Sequence, residues 1–100
     1  MKIQHLVKYF LAAAQKDTRI KPLHISLFMA ICWGGTSEKG TDDLTIFRKN
    51  IMPLARIASC ATYHKYLKEL VAFGYVCYRA SNDYYSGSKI SFPKKSVNYS

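Results

Sequence analysis

The segment between Ser59 and Gly74 constrains the fold more than any other part of the sequence. Ser59 is a favourable helix N-cap, and no proline or glycine follows it until Gly74, a residue suited to the position just beyond a helix end. Within the segment, Tyr63, Leu67 and Leu70 recur at helical spacing, so one side of the helix is predicted to be buried. The polar side chains outside this stripe are expected to face solvent or a ligand: Thr62, His64, Lys65, Lys68 and Glu69.

Two further helices are predicted towards the N-terminus. Residues 2–16 follow amphipathic helical spacing, and a second helix is expected to begin at Pro22 and to end before Gly34. The second helix is apolar on nearly every side, which indicates a central position. Within it, His24 is expected to be a satisfied structural histidine and Trp33 a core or lid residue.

A polar loop over residues 34–43 and a short extended segment, LTIF, separate these helices from a third, predicted at about residues 48–56. Pro53 lies inside this third helix, and a proline there removes one backbone donor and crowds the preceding turn. The third helix is therefore predicted to be kinked or short, or to begin later in the chain.

Alternating residues and turn residues near the C-terminus predict a β-hairpin. YVCYR alternates, residues 81–88 supply turn residues, and KISF alternates again. LTIF is expected to join the hairpin as the third strand of a small sheet. The predicted fold is thus mainly α with a small antiparallel β-sheet, in the winged-helix order helix, helix, strand, helix, helix and hairpin. We expect a single domain over residues 1–93 and a flexible basic tail over residues 94–100.

The excess of basic residues indicates a polyanionic partner. Fifteen Lys and Arg against six Asp and Glu give a formal net charge of +9, which favours nucleic acid through long-range attraction and counterion release. The excess is spread over both halves of the chain, which favours a charged folded face over a disordered basic arm.

Other classes of function are not indicated. The cysteines, Cys32, Cys60 and Cys77, form no CxxC pair and do not stand at metal-ligand spacing with the histidines. We therefore expect no zinc site, no cofactor and a reduced, cytoplasmic setting. No nucleophile with a base, no acidic pair and no phosphate-binding loop is recognisable, so an enzyme is not expected. No apolar run reaches the length of a membrane span, and no membrane partner is expected.

One stretch resembles a known family. ARIASCATYHKYLKELVAFGYVCYR is similar to the recognition helix and first wing strand of winged helix-turn-helix transcriptional regulators. Together with HISLFMAICW and YYSGS, it resembles small winged-helix proteins of bacterial conjugative and mobilisable elements, over about residues 5–92. The resemblance implies a double-stranded DNA-binding regulator of transcription with residues 59–70 as its recognition helix. The chain departs from the pattern at Phe47, Arg48 and Lys49, where those relatives carry a serine cap and acidic residues.

In a winged helix the recognition helix enters the major groove while the preceding helix crosses the backbone, and the wing reaches the adjacent minor groove or its phosphates. Arg79 and Lys89 flank the predicted hairpin tip and are therefore expected to contact phosphates. The residues expected to contact DNA are Ser59, Thr62, His64, Lys65, Lys68, Arg79 and Lys89.

Two other roles fit the same sequence. An excisionase-like architectural factor of a mobile element would bend DNA for a recombinase, whereas a protein–protein interaction module would dock a partner through the wing and recognition helix. The amphipathic first helix could supply a homodimer contact or pad the core, and padding is slightly favoured.

Overall fold

The computed structural model describes residues 3–37, 43–80 and 87–93. This part of the chain is mainly α-helical with a small antiparallel sheet of four strands, so the predicted fold class is confirmed at this level. None of its helices has the length and hydropathy needed to cross a bilayer. The helices are α1 (Ile3–Ala14), α2 (Pro22–Gly34), α3 (Arg48–Ala55) and α4 (Cys60–Ala72). The strands are β1 (Thr36–Ser37), β2 (Leu44–Ile46), β3 (Cys77–Arg79) and β4 (Ser88–Ser91).

The sheet has the strand order β1-β2-β4-β3, and each neighbouring pair is antiparallel. Leu44 of β2 lies opposite Ile90 of β4, so LTIF joins the hairpin strands as expected. The sequence predicts a loop throughout residues 34–43, and this is wrong at β1, where Thr36 pairs with Thr45. An edge strand this short cannot show the alternation by which strands are recognised in a sequence. Three predicted segments lie partly or wholly outside the described residues: residues 38–42 of the loop, residues 81–86 of the hairpin tip and the whole of the predicted tail, residues 94–100.

Aromatic rings join the first two helices to the rest of the core. Phe10 of α1 stacks on Phe28 of α2 with ring centroids 4.0 Å apart, and it meets Tyr75 edge-on at 5.1 Å. Phe28 in turn meets Phe92, which follows β4, at 5.9 Å. α1 therefore packs its apolar stripe into the core, which is the padding role favoured from the sequence.

Trp33 is exposed rather than buried, so its predicted place in the core is wrong. Its side chain is 83% exposed near the end of α2, whereas the preceding Ile31 and Cys32 are buried. α2 contacts α1, α3 and α4 but leaves the side that carries Trp33 uncovered. A helix that is apolar on every side has no periodic signal to show which side lacks a neighbour.

α3 accommodates Pro53 without losing its predicted boundaries. The helix begins at Arg48 and continues past Pro53 to Ala55, so it is short, as predicted, but does not begin later. Because Pro53 stands close to the helix end, the missing donor removes a single hydrogen bond. Phe47 precedes the helix in an extended conformation and provides no side-chain cap.

Asp17 links the α1–α2 loop to the residues that follow α4 through hydrogen bonds. Its carboxylate accepts hydrogen bonds from Arg19 Nε at 2.9 Å, from Arg19 Nη2 at 2.8 Å and from the Tyr75 hydroxyl at 2.7 Å. The Arg19 guanidinium also lies 4.2 Å from the centroid of the Phe73 ring. The hydrogen bonds from Arg19, and then the one from Tyr75, hold the pKa of Asp17 well below its ordinary value of 3.8.

The lowered pKa of Asp17 predicts an acid-sensitive contribution to stability. Because the folded-state pKa is below the unfolded value, the carboxylate stabilises the fold above about pH 4, and this stabilisation is lost as the pH falls further. Asp17→Asn should lower the free energy of unfolding at neutral pH, and its difference from wild type should shrink in acid. Urea titrations over the pH range measure this difference. Tyr75→Phe, which keeps the carboxylate and Arg19, should retain most of the acid dependence, and an Asp17→Asn difference independent of pH would contradict the assigned role.

Candidate nucleic-acid interface

α3 and α4 are joined by a short turn, residues 56–59, whose geometry is fixed by backbone hydrogen bonds. Arg56 adopts the left-handed conformation, with φ 60° and ψ 39°. Its N–H donates to the Pro53 carbonyl at 3.1 Å, and the Ile57 N–H donates to the Met52 carbonyl at 2.9 Å. This pair of bonds is a Schellman motif, which satisfies carbonyls at the end of α3. The Ile57 side chain is buried and so anchors the turn to the core.

α4 has the start and the end that the sequence predicts. Ser59 is its N-cap, and the Ser59 Oγ accepts a hydrogen bond from the Thr62 N–H at 3.3 Å. Beyond the other end, Gly74 has a φ of 88°, and the Tyr75 N–H donates to the Leu70 carbonyl at 3.0 Å. A residue with a Cβ is strained at that φ, which explains glycine where the chain leaves the helix.

The buried stripe of α4 is also the predicted one, because Tyr63, Leu67 and Leu70 are all buried. Burial raises the pKa of Tyr63 to about 12, and the charge of Arg48 acts against that rise.

The side of α4 opposite the stripe presents two lysines next to a small residue. Ala61, Lys65 and Lys68 are exposed and lie at helical spacing, so they share one side, which we call the α4 outer face. Thr62 and His64 are half-buried and lie on opposite flanks of this face. The His64 ring meets the Tyr63 ring edge-on at 5.2 Å. Of the predicted helix residues, the structure therefore groups Lys65 and Lys68 and separates Thr62 from His64.

Glu69 is bonded within the protein, and its side chain is 34% exposed, so the expectation that it faces solvent or a ligand is met only in part. Its Oε1 lies 2.7 Å from Nε2 of His24, which is fully buried. Nδ1 of His24 accepts a hydrogen bond from the Lys21 N–H at 2.9 Å, so the proton of the neutral ring lies on Nε2 and is donated to Glu69. His24 is thus a satisfied structural histidine, as predicted. The bond to Glu69 was not visible in the sequence because the two residues belong to different helices.

Among the described residues, the lysines of the α4 outer face have no partner of opposite charge. In residues 3–37, 43–80 and 87–93, neither Lys65 nor Lys68 forms an ion pair with a carboxylate. The Lys65 ammonium lies 5.6 Å from the centroid of the Tyr66 ring. Within the part of the chain that the structure describes, no carboxylate therefore competes with a ligand for these two charges.

Three further cations, which sequence reasoning did not assign to the site, lie on α3 and the turn. Arg48, Lys49 and Arg56 are all exposed. Lys49 and Arg56 line a shallow groove whose remaining walls are apolar: Met52, Pro53, Ile57 and Ala58. Residues 48–72 thus carry five cations and one carboxylate, Glu69, which is bonded to His24. The cations at Arg48 and Lys49, noted in the sequence as unusual for a helix start, were the signal that could have identified this basic surface.

Arg79 and Lys89 lie in the sheet rather than on α4. They are directly opposite each other on β3 and β4, on the side of the sheet away from the buried Leu44 and Ile90. The Lys89 ammonium is half-buried and donates to Thr45 Oγ1 at 3.0 Å. The described part of the hairpin therefore provides a second basic patch, in which Lys89 is held by a neighbouring strand and Arg79 is exposed.

Comparison of the chain with protein families, curated proteins and solved structures found no match. The function is therefore inferred from the arrangement of α3, α4 and the sheet.

Arg56 allows the turn between α3 and α4 to be tested separately from its charge. A non-glycine residue in the left-handed region costs about 1–2 kcal/mol. Glycine removes this cost, but the greater flexibility of its unfolded chain offsets about 0.4–1 kcal/mol of the gain. Arg56→Gly should therefore raise the free energy of unfolding by about 0.5–1 kcal/mol. Arg56→Ala, which removes the same charge and keeps the strain, should leave it nearly unchanged, as measured by urea titration. Equal effects of the two substitutions would contradict the strain at Arg56.

Proposed function

We propose that the chain is a double-stranded DNA-binding protein of the winged helix-turn-helix type. The observation that carries the proposal is the α4 outer face, where Lys65 and Lys68 stand beside Ala61 without a carboxylate partner among the described residues. An α-helix fits the major groove of DNA, and a small residue lets the helix approach the bases closely. Lysines on that side neutralise phosphates and release counterions.

The order and pairing of the elements support the winged-helix type. α3, a tight turn and α4 are followed by two antiparallel strands, and β2 pairs with the second of these, β4. In a winged helix the equivalent helices are the supporting and recognition helices, and the final hairpin is the wing. The proposed recognition helix is α4, and the proposed wing is formed by β3, β4 and the residues between them.

Within this proposal the side chains have different roles. Thr62 and His64 flank the α4 outer face and are suited to contact base edges on either side of the groove. The Ser59 hydroxyl oxygen already accepts a hydrogen bond as the cap of α4. Its hydroxyl proton can still be donated to a phosphate. The cations of α3 and the turn would contact the backbone that α3 crosses, and those of the sheet the backbone beside the wing: Arg48, Lys49, Arg56, Arg79 and Lys89.

The biological role proposed is regulation of transcription, since base contacts from a helix provide sequence discrimination of about 1–3 kcal/mol for each good pair. An architectural, excisionase-like role would instead be indicated by strong bending of the bound duplex. A protein–protein module would be indicated by duplex binding that is weak and insensitive to salt. Footprinting after selection of bound duplexes, together with gel measurements of DNA bending, separates these three roles.

Lys65 is expected to contribute to affinity for every duplex. The logarithm of the association constant should fall with the logarithm of salt concentration by about 0.9 for each phosphate contacted. Lys65→Ala should weaken binding to all duplexes and reduce the magnitude of this slope by about 0.9, the value for one phosphate contact. Lys8→Ala, which removes an equal charge from an exposed position of α1, is the matched control and should have a smaller effect. Fluorescence anisotropy over a range of salt measures both quantities, and a flat salt response would remove DNA as the partner.

His64 is expected to contribute to sequence preference rather than to overall affinity. His64→Ala removes a side chain that can donate or accept a hydrogen bond at a base edge. The relative affinity for duplexes that differ at one base pair should therefore change by about tenfold. Selection from a randomised duplex library, with wild type, His64→Ala and Lys65→Ala in parallel, measures the preference. An identical selected motif for wild type and His64→Ala would exclude base recognition by this histidine.

A further inference from the structure

A groove with apolar walls runs along α3 and the turn that follows it. Its volume is about 560 Å³, which is within the range of about 300–1,000 Å³ that ligand sites occupy. We call it the α3 groove, and its lining residues are Lys49, Met52, Pro53, Arg56, Ile57 and Ala58. By their spacing, Lys49, Met52 and Pro53 lie on one side of α3, and Arg56 follows as the C-cap residue.

The two cations of the α3 groove stand at opposite ends of α3. Lys49 lies in the first turn and Arg56 is the C-cap, so their backbones are about 10 Å apart along the helix axis. Both cations are exposed, whereas Met52 is half-buried and Ile57 is only 5% exposed. The groove therefore combines a recessed apolar lining with a positive charge at each end of the helix.

The proposed DNA binding accounts for the cations of the α3 groove but not for its apolar lining. Phosphates are contacted by charged groups and by hydrogen-bond donors, and the side chains of Met52, Pro53 and Ile57 provide neither. We propose that the α3 groove binds an acidic amphipathic helix of a partner protein. Apolar side chains of that helix would cover the lining, and one carboxylate would pair with each cation.

The distance between the cations favours a helix as the occupant. Residues i and i+7 of a helix are about 10 Å apart on one side, with residues i+3 and i+4 between them. Acidic residues at i and i+7 and apolar residues at i+3 and i+4 therefore match Lys49, Arg56 and the lining between them. In an extended segment, residues about 10 Å apart are three positions apart and point to opposite sides. Anchoring of an amphipathic helix through such positions is a recurring mode of peptide recognition.

A second copy of the chain does not match this groove. No helix in the described part of the chain carries more than one carboxylate, and the one on α4, Glu69, is bonded to His24. The formal net charge of +9 also opposes the approach of a second copy to a basic surface. The occupant is therefore expected to be a different, acidic protein.

A lipid bilayer fits the charges of the groove but not its shape. Anionic headgroups attract Lys and Arg, and the apolar side chains of a membrane-bound surface insert between the lipids. Insertion needs side chains that protrude, whereas Met52 and Ile57 are recessed. A partner helix can place its own side chains into the recess.

Docking at the α3 groove is expected to weaken DNA binding, and this step alone rests on the proposed function. Lys49 and Arg56 are also among the cations assigned to the DNA backbone that α3 crosses. A partner carboxylate bound to either cation occupies donors that a phosphate would use, so the partner and the duplex compete. By linkage, a bound duplex weakens the partner by the same factor. The acidic partner thus acts as a negative regulator of DNA binding.

Isothermal titration calorimetry of the whole chain with two synthetic helical peptides tests the docking without DNA. The first peptide has Glu at i and i+7 and Leu at i+3 and i+4, and the second has the same charges with Gln in place of both Leu. The first should bind with a dissociation constant of about 10–100 µM, as expected for a small contact. The second should bind at least about tenfold more weakly, because it buries no apolar side chain.

Single substitutions locate the binding. Lys49→Ala and Arg56→Ala should each weaken the first peptide by about three- to tenfold, and Met52→Gln by about tenfold. Lys8→Ala is the control for charge, since Lys8 is exposed on α1. Leu54→Gln is the control for apolar surface, because Leu54 is exposed on α3 but does not line the groove. Both controls should leave the dissociation constant nearly unchanged, and far-ultraviolet circular dichroism verifies that each variant is folded.

Several results would overturn docking at the α3 groove. These are no binding of the first peptide, equal binding of the two peptides, and equal weakening by Met52→Gln and Leu54→Gln. Vesicles of phosphatidylglycerol are titrated in parallel. Vesicle binding that Met52→Gln weakens, with no binding of the first peptide, would assign the groove to a membrane instead.

Competition is measured separately, by fluorescence anisotropy of a labelled duplex. A saturating concentration of the first peptide should raise the dissociation constant of the duplex by about tenfold, and the second peptide at the same concentration should raise it less. Met52→Gln should bind the duplex like wild type but lose most of this competition. Peptide docking without any duplex binding would support the groove and remove the proposed function alone. Duplex binding that the docked peptide leaves unchanged would overturn the proposed regulation.

Discussion

The contact between His24 and Glu69 determines how α4 is placed on the rest of the fold. Both ring nitrogens of the buried His24 are used, one by the Lys21 N–H that opens α2 and the other by the Glu69 carboxylate on α4. Loss of either partner would leave a buried polar group unsatisfied, at a cost of about 1–3 kcal/mol. The rings of Tyr66 and Phe73 pack against the imidazole with centroids 4.6 and 5.5 Å away. Because Tyr66 and Glu69 of α4 and Phe73 at its C-terminal end converge on one side chain of α2, the rotation of α4 about its own axis is fixed, and the lysine-bearing side is directed outward.

Hydrogen bonds within the fold occupy two carboxylates, and this helps to explain why α3 and α4 present a basic surface. Asp17 is occupied by Arg19 and Tyr75 at one end of the domain, and Glu69 is occupied by His24. These two carboxylates stabilise the fold and do not neutralise the lysines of the α4 outer face. Along α3 and α4, five cations therefore face a single carboxylate, Glu69, which is bonded to His24. A positive field concentrated on two adjacent helices favours capture of a polyanion more than the same charge spread evenly would.

The features that could be predicted from the sequence are those that depend on neighbouring residues. Ser59 and Gly74 mark the ends of α4, and the spacing of Tyr63, Leu67 and Leu70 gives its buried side, because caps and helical periodicity are local properties. The alternation of LTIF and the hairpin strands likewise predicted three of the strands of the sheet.

The features that could not be predicted depend on contacts between distant parts of the chain. Glu69 looked like any polar residue on an exposed side, because its partner is 45 positions away. Trp33 looked central, because an apolar helix does not show which of its sides has a neighbour. Arg48 and Lys49 looked unfavourable at a helix start, yet α3 forms without a side-chain cap and exposes both cations. Residues that are unusual at a predicted helix start, such as these two cations, can thus indicate a property of the surface rather than an error in the predicted helix.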